Sequence, residues 1–108
     1  ITGGYGHSNS GSFGDKVKLA GFDHVVVTGA SEEPVVVVLD DLRVSIEPAS
    51  DVWGLDIFDA TDILHGRYPG SSVACIGPAG ENGTIGSVVL ADKHGAFGSS
   101  GIGGVMGA

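Results

Sequence analysis

Two glycine-rich stretches carry what chemistry this sequence offers: Ala74-Cys75-Ile76-Gly77-Pro78-Ala79-Gly80-Glu81-Asn82, and the run from Gly95 to Gly107 with its six glycines. Glycine lacks the side chain that would hold a ligand away, so both stretches suit close approach of main chain to a bound group. Neither is a nucleotide motif. Gly98-x-x-Gly101-x-Gly103-Gly104 inverts the dinucleotide spacing, and the first stretch lacks the Gly-Lys-Ser/Thr ending of a P-loop. Tight turns and bulges also gather glycine, so on the residues alone a phosphate site and plain turns both stay open.

The remaining catalytic vocabulary is thin. There is no Gly-x-Ser-x-Gly elbow and no Cys-x-x-Cys, and His7, His24, His65 and His94 lack the short repeated spacing of a zinc site. No catalytic residue is nominated. Asp56, Asp59 and Asp62 recur every three residues, which on a helix reads as a solvated acidic face rather than a cation site. Cys75 lies in the apolar run Ser72-Val73-Ala74-Cys75-Ile76 and reads as a small buried hydrophobe. A single cysteine supplies neither a disulfide framework nor the thiolates of an iron–sulfur cluster.

The elements that must position these residues fit one domain over 1–108, with a thin core because 20 glycines raise the entropy lost on ordering. A net charge of -8 with only five basic residues opposes nucleic-acid binding, which needs cations on phosphates. No apolar run approaches a membrane span, and the start at Ile1 shows no signal-type pattern, so a cytoplasmic protein is expected.

Along the chain, residues 1–14 read as loop, and Asp15 to Ala20 as a short helix closed by Gly21. His24 to Thr28, Pro34 to Leu39 and Leu42 to Ile46 read as a three-strand meander, the last two joined tightly at Asp40-Asp41. Ile57, Ala60, Thr61 and Leu64 fall at helical spacing within Asp56 to Leu64, ended by Gly66 and Pro69. Ser71 to Ile76 and Thr84 to Leu90 read as strands, and the tail from Gly95 as coil with a final turn. The expected class is α+β, mainly an antiparallel β-sheet platform with one or two short helices.

Five blocks of the sequence, in order, resemble the N-terminal domain of the aldehyde ferredoxin oxidoreductase family. They are His7-Ser8-Asn9-Ser10-Gly11-Ser12-Phe13-Gly14 with Leu19-Ala20-Gly21-Phe22-Asp23; Thr28 to Val35; Val52-Trp53-Gly54; Gly77-Pro78-Ala79-Gly80-Glu81-Asn82; and the loop ending Gly104-Val105-Met106-Gly107. The resemblance implies a β-sheet platform under a tungsten-bis(pyranopterin), with a magnesium ion bridging the pterin phosphates. It puts Asn9, Ser10, Gly11, Glu81, Asn82, Gly95, Ala96 and Gly98 at the cofactor, and main-chain carbonyls of Asn9 and Ala96 on the magnesium. Glu81 and Asn82 would order their loop rather than perform chemistry.

The sequence also departs from the family. Gly95 and Ser99 stand where the family usually carries arginines suited to a pterin phosphate, and the cluster cysteines and later helical domains have no counterpart. Weak autonomous cofactor binding and no activity of the isolated chain are therefore expected. The resemblance implies a fragment or free-standing relic of an enzyme taking aldehyde to carboxylic acid with ferredoxin as acceptor. Its partners would be the remaining domains or another subunit of that oxidoreductase.

Two other readings stand beside this one. The first is a cofactor-free interaction module that forms a homo-oligomer through strand edges, a face carrying Val25, Val27, Val36 and Val38, or the glycine segments. The second is a small phosphate-ligand binder using the glycine loops alone.

Overall fold

The computed structural model describes residues 11–108. Its centre is the helix that the apolar spacing predicts. Asp56 caps it, its side chain accepting from the backbone N–H of Phe58 (2.8 Å) and Asp59 (3.0 Å), and helix α2 runs over Ile57–Arg67. It passes through Gly66, where the sequence predicts a stop, and ends at Tyr68, whose conformation is restricted by the following Pro69. Its buried face, Ala60 and Leu64, packs on Val73 and Cys75, with Val36, Val52, Leu55, Ile57 and Tyr68 closing around them.

Before α2 lie helix α1 (Phe13–Leu19), strand β1 (Val35–Asp40) and strand β2 (Arg43–Pro48). Gly21 follows α1 at φ +97°, as the sequence predicts. The strands pair antiparallel from Val35↔Pro48 to Asp40↔Arg43, so the linking residues are Asp41 and Leu42, one position later than expected. Both have positive φ (44° and 66°), the geometry whose twist suits a two-residue hairpin. Leu42 is held there by its N–H donating to the Ala20 carbonyl at 2.8 Å.

The expected strand at His24 to Thr28 does not form. Among the described residues that segment has no strand partner, and Val25, Val26 and Val27 are exposed, so the described part of the meander is a two-strand hairpin. β-propensity alone does not make a strand without a partner edge and a face to bury.

After α2 come β3 (Ala74–Cys75), helix α3 (Pro78–Glu81), β4 (Val89–Ala91), β5 (Gly95–Phe97), a 3₁₀ turn (Ser99–Gly101) and helix α4 (Ile102–Gly107). The three strands form an antiparallel sheet in the order β3-β4-β5. β3 and β4 are shorter than expected, because Ser71 turns back to the Tyr68 carbonyl, Ser72 and Val73 are joined to the β4–β5 turn by Asp92, and Thr84–Gly86 folds as a turn. The tail is not coil but a strand and a helix. The mix of helices and antiparallel sheets is α+β, as expected from the sequence.

Candidate functional site

The two glycine stretches meet each other. α3 and α4 are short, glycine-rich and packed backbone to backbone. A Cβ on Gly80 would lie 2.9 Å from the Gly103 carbonyl oxygen, and one on Gly107 would lie 2.3 Å from the Gly80 oxygen. At Gly103 it would lie 2.8 Å from the Val88 oxygen, where the Gly103 N–H donates to Ser87 O at 3.2 Å. The bare backbone at these three positions is therefore spent on protein rather than on a ligand.

Glu81 and Asn82 finish this clasp. A Glu81 carboxylate oxygen accepts from the Gly54 N–H at 2.8 Å, fixing α3 to the turn before α2, and Asn82 Nδ2 donates to the Pro78 carbonyl at 2.7 Å. Both side chains order their loop. Beneath the clasp, Ser87 is 6% exposed and its Oγ has no hydrogen-bond partner among the described residues.

The other nominated residues lie elsewhere. Gly11 and Gly95 line one recess of about 110 Å³ together with Phe13, Ala91, Asp92 and His94. Phe13 and Phe97 bring the two segments together, their rings edge to face at 5.8 Å between centroids. Ala96 is exposed in the middle of β5, and Gly98 is exposed just after it. Asn9 and Ser10 lie outside the described residues, and with them the Asn9 half of the expected magnesium pair. Glu81 and Asn82 do not line this recess.

Sequence reasoning missed the residue that builds the recess wall. Asp92 sits at φ 49° in the β4–β5 turn and fastens three segments. Its Oδ1 accepts from the Val73 N–H at 2.8 Å and lies 2.8 Å from His65 Nε2, while Oδ2 accepts from Ser72 Oγ. Partial burial pushes its pKa up, but the bonds from Ser72, Val73 and His65 outweigh that and hold the carboxyl below its ordinary value. The available signal was an aspartate followed by Lys-His-Gly between two apolar runs, a turn pattern.

Elsewhere the chemistry is structural. Cys75 is buried, and desolvation first of all raises its thiol pKa, against a contact with Thr61 Oγ1 at 3.2 Å; it packs rather than reacts. Asp56 is the α2 cap, its carboxyl held low by the N–H groups of Asp59 and Phe58, and Asp62 pairs with Lys93. Among the described residues no group of three or more His, Cys, Asp or Glu is arranged to hold a metal, and no helix is long and apolar enough to cross a membrane. A second, larger concavity of about 630 Å³ lies between α1, β1 and α2, with Val17, Val36, Leu64 and Val73 among its lining residues. None of the nominated residues lines it.

Comparison with known proteins gives these features a lineage. The family described as aldehyde ferredoxin oxidoreductase, N-terminal domain, matches residues 1–108. Curated relatives include the tungsten-containing aldehyde ferredoxin oxidoreductases of Pyrococcus furiosus (39% identical over 99% of this chain) and Thermococcus kodakarensis (40% over 93%). The chain spans only 18% and 17% of the lengths of these two relatives. With the blocks in order and matched from end to end, the chain belongs to the aldehyde ferredoxin oxidoreductase family, within its N-terminal domain.

Proposed function

We propose that residues 1–108 are part of the platform for a tungsten-pterin cofactor in a larger oxidoreductase. The whole enzyme would take an aldehyde to a carboxylic acid and pass two electrons through an iron–sulfur cluster to ferredoxin. The observation that carries this reading is the recess, which brings Gly11 of the first segment beside Gly95 of the last loop. The relatives are tungsten-containing enzymes, which supports the metal, and the pterin is what the family resemblance implies.

The residues present do not fit a tight, self-sufficient cofactor site. The recess wall carries the Asp92 carboxylate, and no lysine or arginine occurs between His94 and Ala108. Lys93, the nearest cation in sequence, is paired with Asp62. Pterin phosphates approaching this surface would meet a carboxylate in a chain of net charge -8, with no lysine or arginine among the described residues that line the recess. No chemical step is therefore assigned to this chain. Its role is positional, and the cationic partners and the bridging magnesium's remaining ligands belong to other parts of the enzyme.

Elemental analysis of protein made in a tungstopterin-competent host tests this. The isolated chain should carry far less than one tungsten per molecule and reduce no viologen dye with an aldehyde. The same residues within a complete enzyme should carry tungsten. Stoichiometric tungsten or turnover in the isolated chain would overturn the positional role, and a complete enzyme without tungsten would overturn the platform.

A second reading, a cofactor-free module that self-associates through its sheet, is favoured by the exposure of Val35, Val37, Val44 and Ile46. Sedimentation equilibrium separates the two. A self-associating chain whose complete enzyme lacks tungsten would favour the module.

A further inference from the structure

The β1–β2 hairpin turns the apolar side of β2 outward. Register puts Val36 and Val38 of β1 on one face with Ser45 and Glu47 of β2, and that face looks inward. Val36 packs on the core, and Glu47 accepts a hydrogen bond from the Tyr68 hydroxyl beside α2. The opposite face, looking away from the core, carries the exposed Val35, Val37, Val44 and Ile46, with Leu39 half-buried at its end. Val44 is 57% exposed and Ile46 68% exposed, while on the other face Glu47 is half-buried and Ser45 is itself exposed. Strand alternation is strict, so this arrangement places β2's apolar side in water by construction.

Magnitude decides what can cover it. The outward side chains amount to a few hundred Å² of apolar surface at most. Two copies facing one another would bury well short of the ~1,200 Å² at which stable complexes of separate chains begin. A cover tethered in the same polypeptide avoids most of the entropy of association, and needs no such area. The relatives are long enough to provide one, since this chain spans 18% of the Pyrococcus furiosus enzyme. Charge narrows the choice: Glu32 and Glu33 stand before the face and Asp40 and Asp41 at its turn, against the single cation Arg43.

We propose that the outward face of the β1–β2 hairpin is an internal seam of the larger oxidoreductase. It is covered by a segment of the same polypeptide outside residues 1–108 that is apolar on one side and carries lysine or arginine at its ends. This rests on the reading of the chain as part of a larger enzyme.

The test compares one pair of substitutions, Val44→Thr with Ile46→Thr, in two settings. In the isolated chain these side chains face water, and the melting temperature should move by less than about 2 °C. In a chimera with residues 1–108 in the matched position of the Pyrococcus furiosus enzyme, calorimetry should show a fall of about 5 °C or more. Glu32→Lys with Glu33→Lys should lower the chimera's melting temperature further at low salt than at high salt. Equal shifts in the two settings would overturn the seam, and so would a chimera that fails to fold with the native hairpin, because a face built for that cover must accept it. A dimer of the isolated chain that the threonine pair dissociates would assign the face to a second copy, against the proposal. Absence of a salt-dependent lysine effect would overturn the cationic cover. Tungsten content is read separately, so failure of the pterin reading would leave the seam result standing.

Discussion

The glycine clasp of α3 and α4 and the valine-rich hairpin of β1 and β2 exchange the roles their compositions suggest. Glycine stretches commonly read as open backbone awaiting a ligand, and valine strands as interior. Here Gly80, Gly103 and Gly107 are closed against other backbone, whereas Val44 and Ile46 stand in water. Close approach and apolar burial are both demands made by a neighbour. For the clasp the neighbour is within the chain, and for the hairpin's outer face it is not.

The sharpest way to break this comparison is to add one methyl group to the clasp. Gly103→Ala puts a Cβ into the backbone at Ser87 and Val88, and should cost about 2–3 kcal/mol in urea unfolding. Gly104→Ala, whose Cβ would meet nothing nearer than 3.4 Å, should be close to neutral or stabilising. Equal costs would mean that the glycines serve chain flexibility rather than contact.

A smaller effect is expected at the β4–β5 turn, where Asp92 ties α2 and the segment before β3 together. Asp92→Ala removes the bonds to Ser72, Val73 and His65 and should cost about 1–2 kcal/mol. The sign of the pH dependence follows from its lowered pKa. The contribution is present above the unfolded-state value of about 4 and is lost as pH falls through the lower folded value. Acid titration of the wild type against the alanine variant should show the difference closing at low pH. A difference that persists there would mean that the turn, not the carboxylate, carries the effect.

Ser87→Ala should stabilise by up to about 1 kcal/mol, because it removes a buried hydroxyl without a partner among the described residues. A loss of that size instead would reveal a partner for the hydroxyl under the clasp. Smallest of all, Ile46→Ser in the isolated chain should lie within about 0.5 kcal/mol of neutral by urea unfolding, as for an exposed position. A larger loss would show that the outer face is already covered within this chain.

Which parts of this were legible in the sequence follows from where each signal resides. α2 was readable from its apolar spacing, which is local, whereas Asp56, read as one of a solvated acidic face, is its cap. The hairpin was readable to one residue, its turn settled by the Asp40↔Arg43 pairing rather than by the acidic doublet. The choice of outward face was not: Val36 and Val38, expected on an exposed face, are the half-buried inner pair. α4 was unreadable because Ile-Gly-Gly-Val-Met-Gly has poor helix propensity, and the helix forms where its backbone can lie on α3. Glu81 and Asn82 were singled out through family resemblance, whereas Asp92 offered only a local turn pattern, its fastening role resting on three tertiary partners.

The clasp also has a bearing on the order in which the molecule assembles. The hairpin joins residues a few positions apart and can form in about 1–10 μs, whereas Gly80 and Gly107 meet only when the intervening chain has closed on itself. Loop closure adds little to the equilibrium but must precede the contacts that reward it. The apolar hairpin face is thus formed early and left waiting while the glycine segments find each other. Refolding at high protein concentration would be exposed to misassociation through that face in this interval.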